Sequence, residues 1–396
     1  MGRQLLALAL LCPLASAQVT GISWFSGTWQ DAMETAAARN VPILIAFIQD
    51  DEEANDRIVE TIYSDKEFLE LCQRVVPVIA SMGTHKPVEG PDGRQVCSRF
   101  GHLTCAEHRR LEADVRALYW PKEGVTTPTH IIAKPDGTEI SRLVDIHTIN
   151  AYQGMVRGAT SDLGKGMSHT DYTLALALLK EAANAARVGP LSTLRAHLDR
   201  LTPLVASSPL RETVLSLFKK LDEEGAQIPA RATDHQVAGR FLDAGVLLRE
   251  GLVALKDRPG ERPLREAYAA FRVTADGKAV DALLEREARL RPQFEKLTQA
   301  EDGAKLPSTV KTYYEILGQV PGTPLAVSVR ERLSNLAPAA SPALKRTMDE
   351  EEANLLWREA ARTAKANPER AKEIYQEIVT NFPKTKAAAR ASKALQ

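Results

Sequence analysis

At 396 residues the chain exceeds one ordinary domain, so two or more are expected. Its 51 Lys and Arg balance 51 Asp and Glu, which leaves no basic surplus for nucleic acid or for an anionic membrane surface. Beyond the N-terminal residues no apolar run approaches the length of a membrane span.

Arg3 precedes an apolar run, Leu5–Leu14, and Ala15-Ser16-Ala17 then offers a small-residue cleavage site before Gln18. This is the pattern of a signal peptide over residues 1–17, so the mature protein is expected in the periplasm or outside the cell. A lipoprotein reading through Cys12 is weaker, because Leu10 and Leu11 occupy places that call for small residues. Export leaves Cys72, Cys97 and Cys105 where disulfides are permitted. Cys72 shares an apolar face with Phe68 and Leu71 and reads as a buried thiol, which leaves Cys97 and Cys105 as the natural pair.

The spacing of Trp29, Met33 and Ala36–Ala37 predicts a helix over Trp24–Arg39, ended by Asn40. Val41–Ile48 is continuously apolar, as a central strand covered on both faces should be. The acidic turn Gln49-Asp50-Asp51-Glu52-Glu53 opens a second helix carrying Ile58, Val59 and Ile62, where carboxylates suit the helix N-terminus. Phe68, Leu71 and Cys72 continue a helical pattern, and Val75–Ala80 is a second strand. Gly83–Thr104 reads as a long irregular segment, a length that points to function. Cys105–Tyr119 is a helix capped by Thr104, with Leu111, Val115 and Leu118 on one face. A hairpin follows: strand His130–Lys134, turn Pro135-Asp136-Gly137-Thr138, and strand Glu139–Val144. A helix over Thr148–Arg157 closes the series.

The run Asn40-Val41-Pro42-Ile43-Leu44-Ile45-Ala46-Phe47, followed by Tyr63-Ser64-Asp65-Lys66-Glu67-Phe68, resembles the thioredoxin-like family. The resemblance spans residues 18–158 and implies an α/β thioredoxin-like domain with a cis-proline at Thr127-Pro128-Thr129, the edge where a peptide would bind. Where that family carries its CxxC cysteines this chain has Glu52 and Asn55. Dithiol exchange at the usual place is therefore excluded.

Residues 159–170 are Gly-rich and polar and read as a linker. From 171 to 396 the composition turns to long Ala, Leu, Arg and Glu helices. Tyr313-Tyr314-Glu315-Ile316 through Pro321-Gly322-Thr323 parallels Tyr375-Gln376-Glu377-Ile378 through Pro383-Lys384-Thr385 at an offset of about 62 residues. This ending resembles tetratricopeptide-like helical hairpins, with Pro383 starting the second helix, Thr385 capping it, and Ala387, Ala388 and Ala391 allowing close helix contact. The expected region is an all-α helical repeat that offers a protein or peptide partner an extended surface.

Cys97, His102, Cys105 and His108 form a C-x4-H-x2-C-x2-H constellation. Three readings compete. A Cys97–Cys105 disulfide needs only an oxidising compartment and a short loop. A zinc or copper site would use all four residues, because thiolate and imidazole suit those metals. A displaced redox pair would use Cys105, activated near a helix N-terminus with His102 and His108 close by. Asp50–Glu53 could bind calcium, but it lacks the spaced pattern of a calcium loop and reads as a helix start. His130 at the head of a strand reads as structural. The expectation for the whole is an exported, non-catalytic binding or scaffold protein. A thiol-disulfide oxidoreductase acting through Cys97 and Cys105 is the rival, and a metal-binding protein the third reading.

Overall fold

The computed structural model describes residues 21–90, 93–122, 124–299 and 305–396. The expected signal peptide, 1–17, lies outside the described residues. By its internal packing the chain divides into two compact units, 1–223 and 224–396.

The first unit is built on a mixed four-stranded sheet in the order β2-β1-β5-β6. Strand β1 (Ile43–Ile48) pairs parallel with β2 (Val76–Ser81) and antiparallel with β5 (Thr129–Ala133). Strand β6 (Glu139–Val144) then pairs antiparallel with β5. Every residue of β1 is buried, as its unbroken apolar run requires of a strand with a layer on each side. Leu44, Ala46 and Ile48 enter one core with Ile58, Phe68 and Tyr152, while Ile43, Ile45 and Phe47 enter the other with Ala32, Leu111 and Val115. At about 1.5–3 kcal/mol for each large side chain buried, this strand contributes heavily to the stability of the unit.

Helices flank the sheet: α1 (Trp29–Arg39), α2 (Glu53–Thr61), α3 (Lys66–Cys72), α4 (Cys105–Tyr119) and α5 (Ile149–Leu163). The first begins five residues later than its apolar pattern predicts. Thr28 forms a capping box with Asp31 there, and Gly27 before it takes φ +152°. Asn40 ends α1 in the left-handed region at φ 52°, as expected. Thr104 caps α4 through a second capping box, with Glu107. The buried face of α4 differs from the expected one. His108, Leu111, Glu112 and Val115 point inward, whereas Leu118 is exposed.

The segment expected to be irregular, Gly83–Thr104, contains a short antiparallel hairpin of β3 (Pro87–Glu89) and β4 (Gln95–Cys97). Residues 159–170, expected as a linker, are helical to Leu163 and tied down beyond it. Arg39 is buried and donates to the carbonyls of Met167, Val75 and Gln73, while Asn40 Nδ2 donates to that of Leu163. Burial lowers the Arg39 pKa to about 10. The unit continues through the paired helices α6 (His169–Val188) and α7 (Leu191–Leu204), and α8 (Leu210–Ala226) contains the division point.

The second unit is helical throughout its described length, from α9 (Ile228–Val237), α10 (Phe241–Ala254), α11 (Glu261–Val273) and α12 (Ala275–Gln299) to two similar hairpins. One joins α13 (Leu306–Gln319) to α14 (Pro324–Leu336), and the other joins α16 (Pro368–Asn381) to α17 (Lys386–Ala394). Between them runs α15 (Pro342–Thr363). The offset seen in the sequence is geometric as well. Val320 and Phe382 end the first helix of each pair with nearly the same backbone angles, and Thr323 and Thr385 cap the second through Ala326 and Ala388. Thr385 caps α17 as expected, but the helix starts at Lys386 and not at Pro383. Ala387, Ala388 and Ala391 are buried, as their small size predicted.

Candidate functional site

Because β1 and β2 are parallel and β5 runs against them, the C-terminal ends of the first two strands meet the start of the third at one sheet edge. Two constellations occupy it.

The first is built on Glu52 and Asn55, where the sequence resemblance places the CxxC cysteines. Glu52 Oε2 accepts from Asn55 Nδ2 at 2.6 Å and from Thr127 Oγ1 at 2.7 Å. The buried Asn55 in turn accepts from the Gln49 amide at 3.2 Å. One carboxylate thus ties the start of α2 to the Thr127–Pro128 peptide, which is cis as expected. Of the expected binding edge, Pro128 and Thr129 are buried, while Thr127 is partly open and its neighbour Thr126 exposed. Behind it lies His130, fully buried, with Nε2 2.8 Å from the Tyr63 hydroxyl and Nδ1 3.1 Å from the Tyr152 hydroxyl. Burial lowers its pKa to about 3, so it is a neutral core histidine.

The second constellation brings together Cys97, Cys105 and His108 with His85, a residue the sequence reading passed over. One ligand atom from each lies within 4.8 Å of the others. His85 Nδ1 is 3.2 Å from Cys97 Sγ and 3.7 Å from Cys105 Sγ. His102, placed in this set by sequence spacing, is instead exposed on the bend before α4. A run of C-x4-H-x2-C-x2-H looked self-sufficient, but Gly101 at φ +64° turns the chain and leaves His102 outward. His85 follows β2 by four residues and reaches the cysteines through the fold. Its one sequence signal was its place in the long segment after the second strand.

Hydrogen bonds fix the two imidazoles. His108 Nδ1 donates to the Ser81 carbonyl at 2.8 Å, which leaves Nε2 carrying the lone pair, and that atom is buried with no hydrogen-bond partner. His85 Nε2 donates to Asp50 Oδ1 at 3.2 Å, which turns the bare Nδ1 toward the thiols. Asp50 is itself held by Arg99 Nη1 at 3.3 Å, and Arg99 Nη2 reaches Asp56 on α2 at 2.6 Å. Phe100 packs edge-on against both imidazoles, with ring centroids 5.3 Å and 5.1 Å away.

Cys97 and Cys105 are free thiols here, so the expected disulfide is not formed in this structure. Burial pushes the Cys97 thiol pKa up, opposed by the Phe100 and Arg99 amides that donate to its sulfur. The His85 amide donates to Cys105 Sγ at 3.2 Å. Burial lowers the His108 pKa, so its imidazole is neutral. Cys72 lies apart in the core, buried, its thiol pKa raised by desolvation.

The acidic run offered as a calcium site is dispersed over separate tasks. Asp50 holds His85, Asp51 turns the chain at φ 60°, Glu52 forms the polar clamp and Glu53 starts α2 exposed. No helix among the described residues is long and apolar enough to cross a membrane. Compared with known proteins, the chain matches no family model and no curated sequence.

Proposed function

We propose that this is an exported binding protein whose thioredoxin-like domain has exchanged dithiol chemistry for a fixed polar surface, with a tetratricopeptide-like helical region as a second docking surface. One observation carries the reading: Glu52 bonds both Asn55 and Thr127, so the positions that would present a dithiol instead cross-link α2 to the strand-end loop. A protein or peptide partner would meet the edge at Thr126 and Thr127 and gain affinity from shape and hydrogen bonding, with no bond exchanged.

The oxidoreductase alternative draws less support. Cys97, which that chemistry needs as one of its pair, is buried and closed to a substrate disulfide.

A gain-of-function assay tests the reading. Wild-type protein is expected to show no disulfide-reductase turnover, and Cys105→Ser to change nothing. The double variant Glu52→Cys/Asn55→Cys is expected to acquire turnover, because it restores two thiols at the N-terminus of α2. Turnover in the wild type that disappears in Cys105→Ser would overturn the proposal.

A further inference from the structure

We propose that His85, Cys97, Cys105 and His108 form a Cys2His2 zinc site that fastens the β3–β4 hairpin and the start of α4 to the end of β2. It goes beyond the binding role above and does not depend on it.

Three observations point to a metal. The first is geometric. Bond lengths of about 2.3 Å to sulfur and 2.0–2.1 Å to nitrogen set tetrahedral ligand atoms roughly 3.3–3.8 Å apart. The distances of 3.2 Å and 3.7 Å from His85 Nδ1 to the two sulfurs lie close to that spacing, and all four ligand atoms fall within 4.8 Å. Drawing the widest pair together by about 1 Å would complete a coordination tetrahedron.

The second is the orphaned atom. His108 Nε2 is buried, unpartnered and grouped with the two thiols and the second imidazole. A bare nitrogen lone pair without a partner costs free energy in the interior, and a cation removes that cost.

The third is the support behind the ligands. Each histidine gives its other nitrogen to a fixed acceptor, Asp50 for His85 and the Ser81 carbonyl for His108, which is how metal-bound imidazoles are oriented. Each sulfur receives backbone amides, from Arg99 and Phe100 at Cys97 and from His85 at Cys105. Such donors stabilise thiolate and are of little use to a thiol. Gly83 completes the cradle, because a Cβ there would fall 1.3 Å from Asp50 Oδ2.

Two thiolates and two neutral imidazoles leave a Zn2+ centre with no net charge, and binding releases two thiol protons. The protein fills all four positions, so the site is closed and structural, with no open coordination place for a substrate.

The test is a cobalt titration of full-length protein that has been reduced and stripped of metal, followed by zinc displacement. One Co2+ per chain is expected, with a thiolate-to-cobalt charge-transfer band and strong tetrahedral bands that zinc abolishes. His85→Ala and Cys105→Ser should lose the tetrahedral spectrum, whereas His102→Ala should keep it at unchanged stoichiometry. A ligand variant that fails to fold is replaced by His108→Gln, with circular dichroism confirming the fold before titration. No tetrahedral cobalt spectrum in folded, reduced wild-type protein would overturn the proposal. Retention by His85→Ala with loss in His102→Ala would also overturn it.

Discussion

Asp50 Oδ2 lies where the Cβ of any larger residue at position 83 would have to stand, 1.3 Å from that point. Gly83 is therefore what lets Asp50 close on His85 at 3.2 Å and fix its tautomer. Gly83→Ala should displace the carboxylate and weaken zinc or cobalt binding about 10–100-fold, the usual loss when a supporting acid is removed. Asp50→Asn should fall in the same range. Competition against a chromophoric chelator reads both, with far-ultraviolet circular dichroism unchanged.

The polar clamp should be worth more to stability than its size suggests. Asn55→Ala removes a buried side chain and leaves the Gln49 amide without its acceptor and the half-buried Glu52 without one of its donors. A loss of about 1–3 kcal/mol is expected, the cost of stranding such groups. Urea unfolding would show it as a lower midpoint at unchanged slope.

His130 gives the first unit an acid-sensitive core. Its folded pKa of about 3 lies below the ordinary 6.5, so the unfolded chain takes up the proton first as pH falls. The contribution is complete above pH 6.5 and is lost below it, by about 1.4 kcal/mol per pH unit, until about pH 3. The groups facing the imidazole are the Tyr63 and Tyr152 hydroxyls, with His147 acting from farther away. His130→Leu should lower stability at pH 7, because both hydroxyls lose their partner, yet flatten the decline between pH 6.5 and 5. Unfolding series at several pH values compare the two proteins.

Arg39 should govern how firmly the connector after α5 is held. Arg39→Met removes three donors from the carbonyls of Met167, Val75 and Gln73. A destabilisation of about 2–3 kcal/mol is expected, because the Met167 and Val75 carbonyls are stranded while that of Gln73 keeps the His169 amide. Hydrogen exchange should rise first at residues 164–169.

The two capping threonines of the second unit offer a matched pair. Thr323→Ala and Thr385→Ala each remove a cap that accepts from the residue three positions on. Each should cost about 1 kcal/mol. Thr323 is fully buried and Thr385 less so, which places Thr323→Ala at the larger end by thermal unfolding.

Elements whose physics is local were legible in the sequence. The buried run of β1, the Asn40 helix stop, the Thr104 cap, the Asp136-Gly137 turn and the 62-residue echo of Thr323 in Thr385 all depend on neighbours a few residues away, and all are present in the fold. That Glu52 and Asn55 stand where the resemblance implies a CxxC pair was equally legible. What these two residues do instead was not, since Thr127 reaches Glu52 only across the sheet edge.

The metal-type cluster divides along the same line. Sequence spacing brought Cys97, Cys105 and His108 together but supplied His102 as the fourth member, because proximity in sequence is a poor guide once a left-handed glycine turns the chain outward. His85 lies twelve residues before Cys97 and is delivered by the end of β2, a position set by strand pairing and not by spacing. The ligand types were therefore written in the sequence, and their assembly was decided by tertiary structure. Only the packed sheet brings the segment after β2, the β3–β4 hairpin and the first turn of α4 to one point.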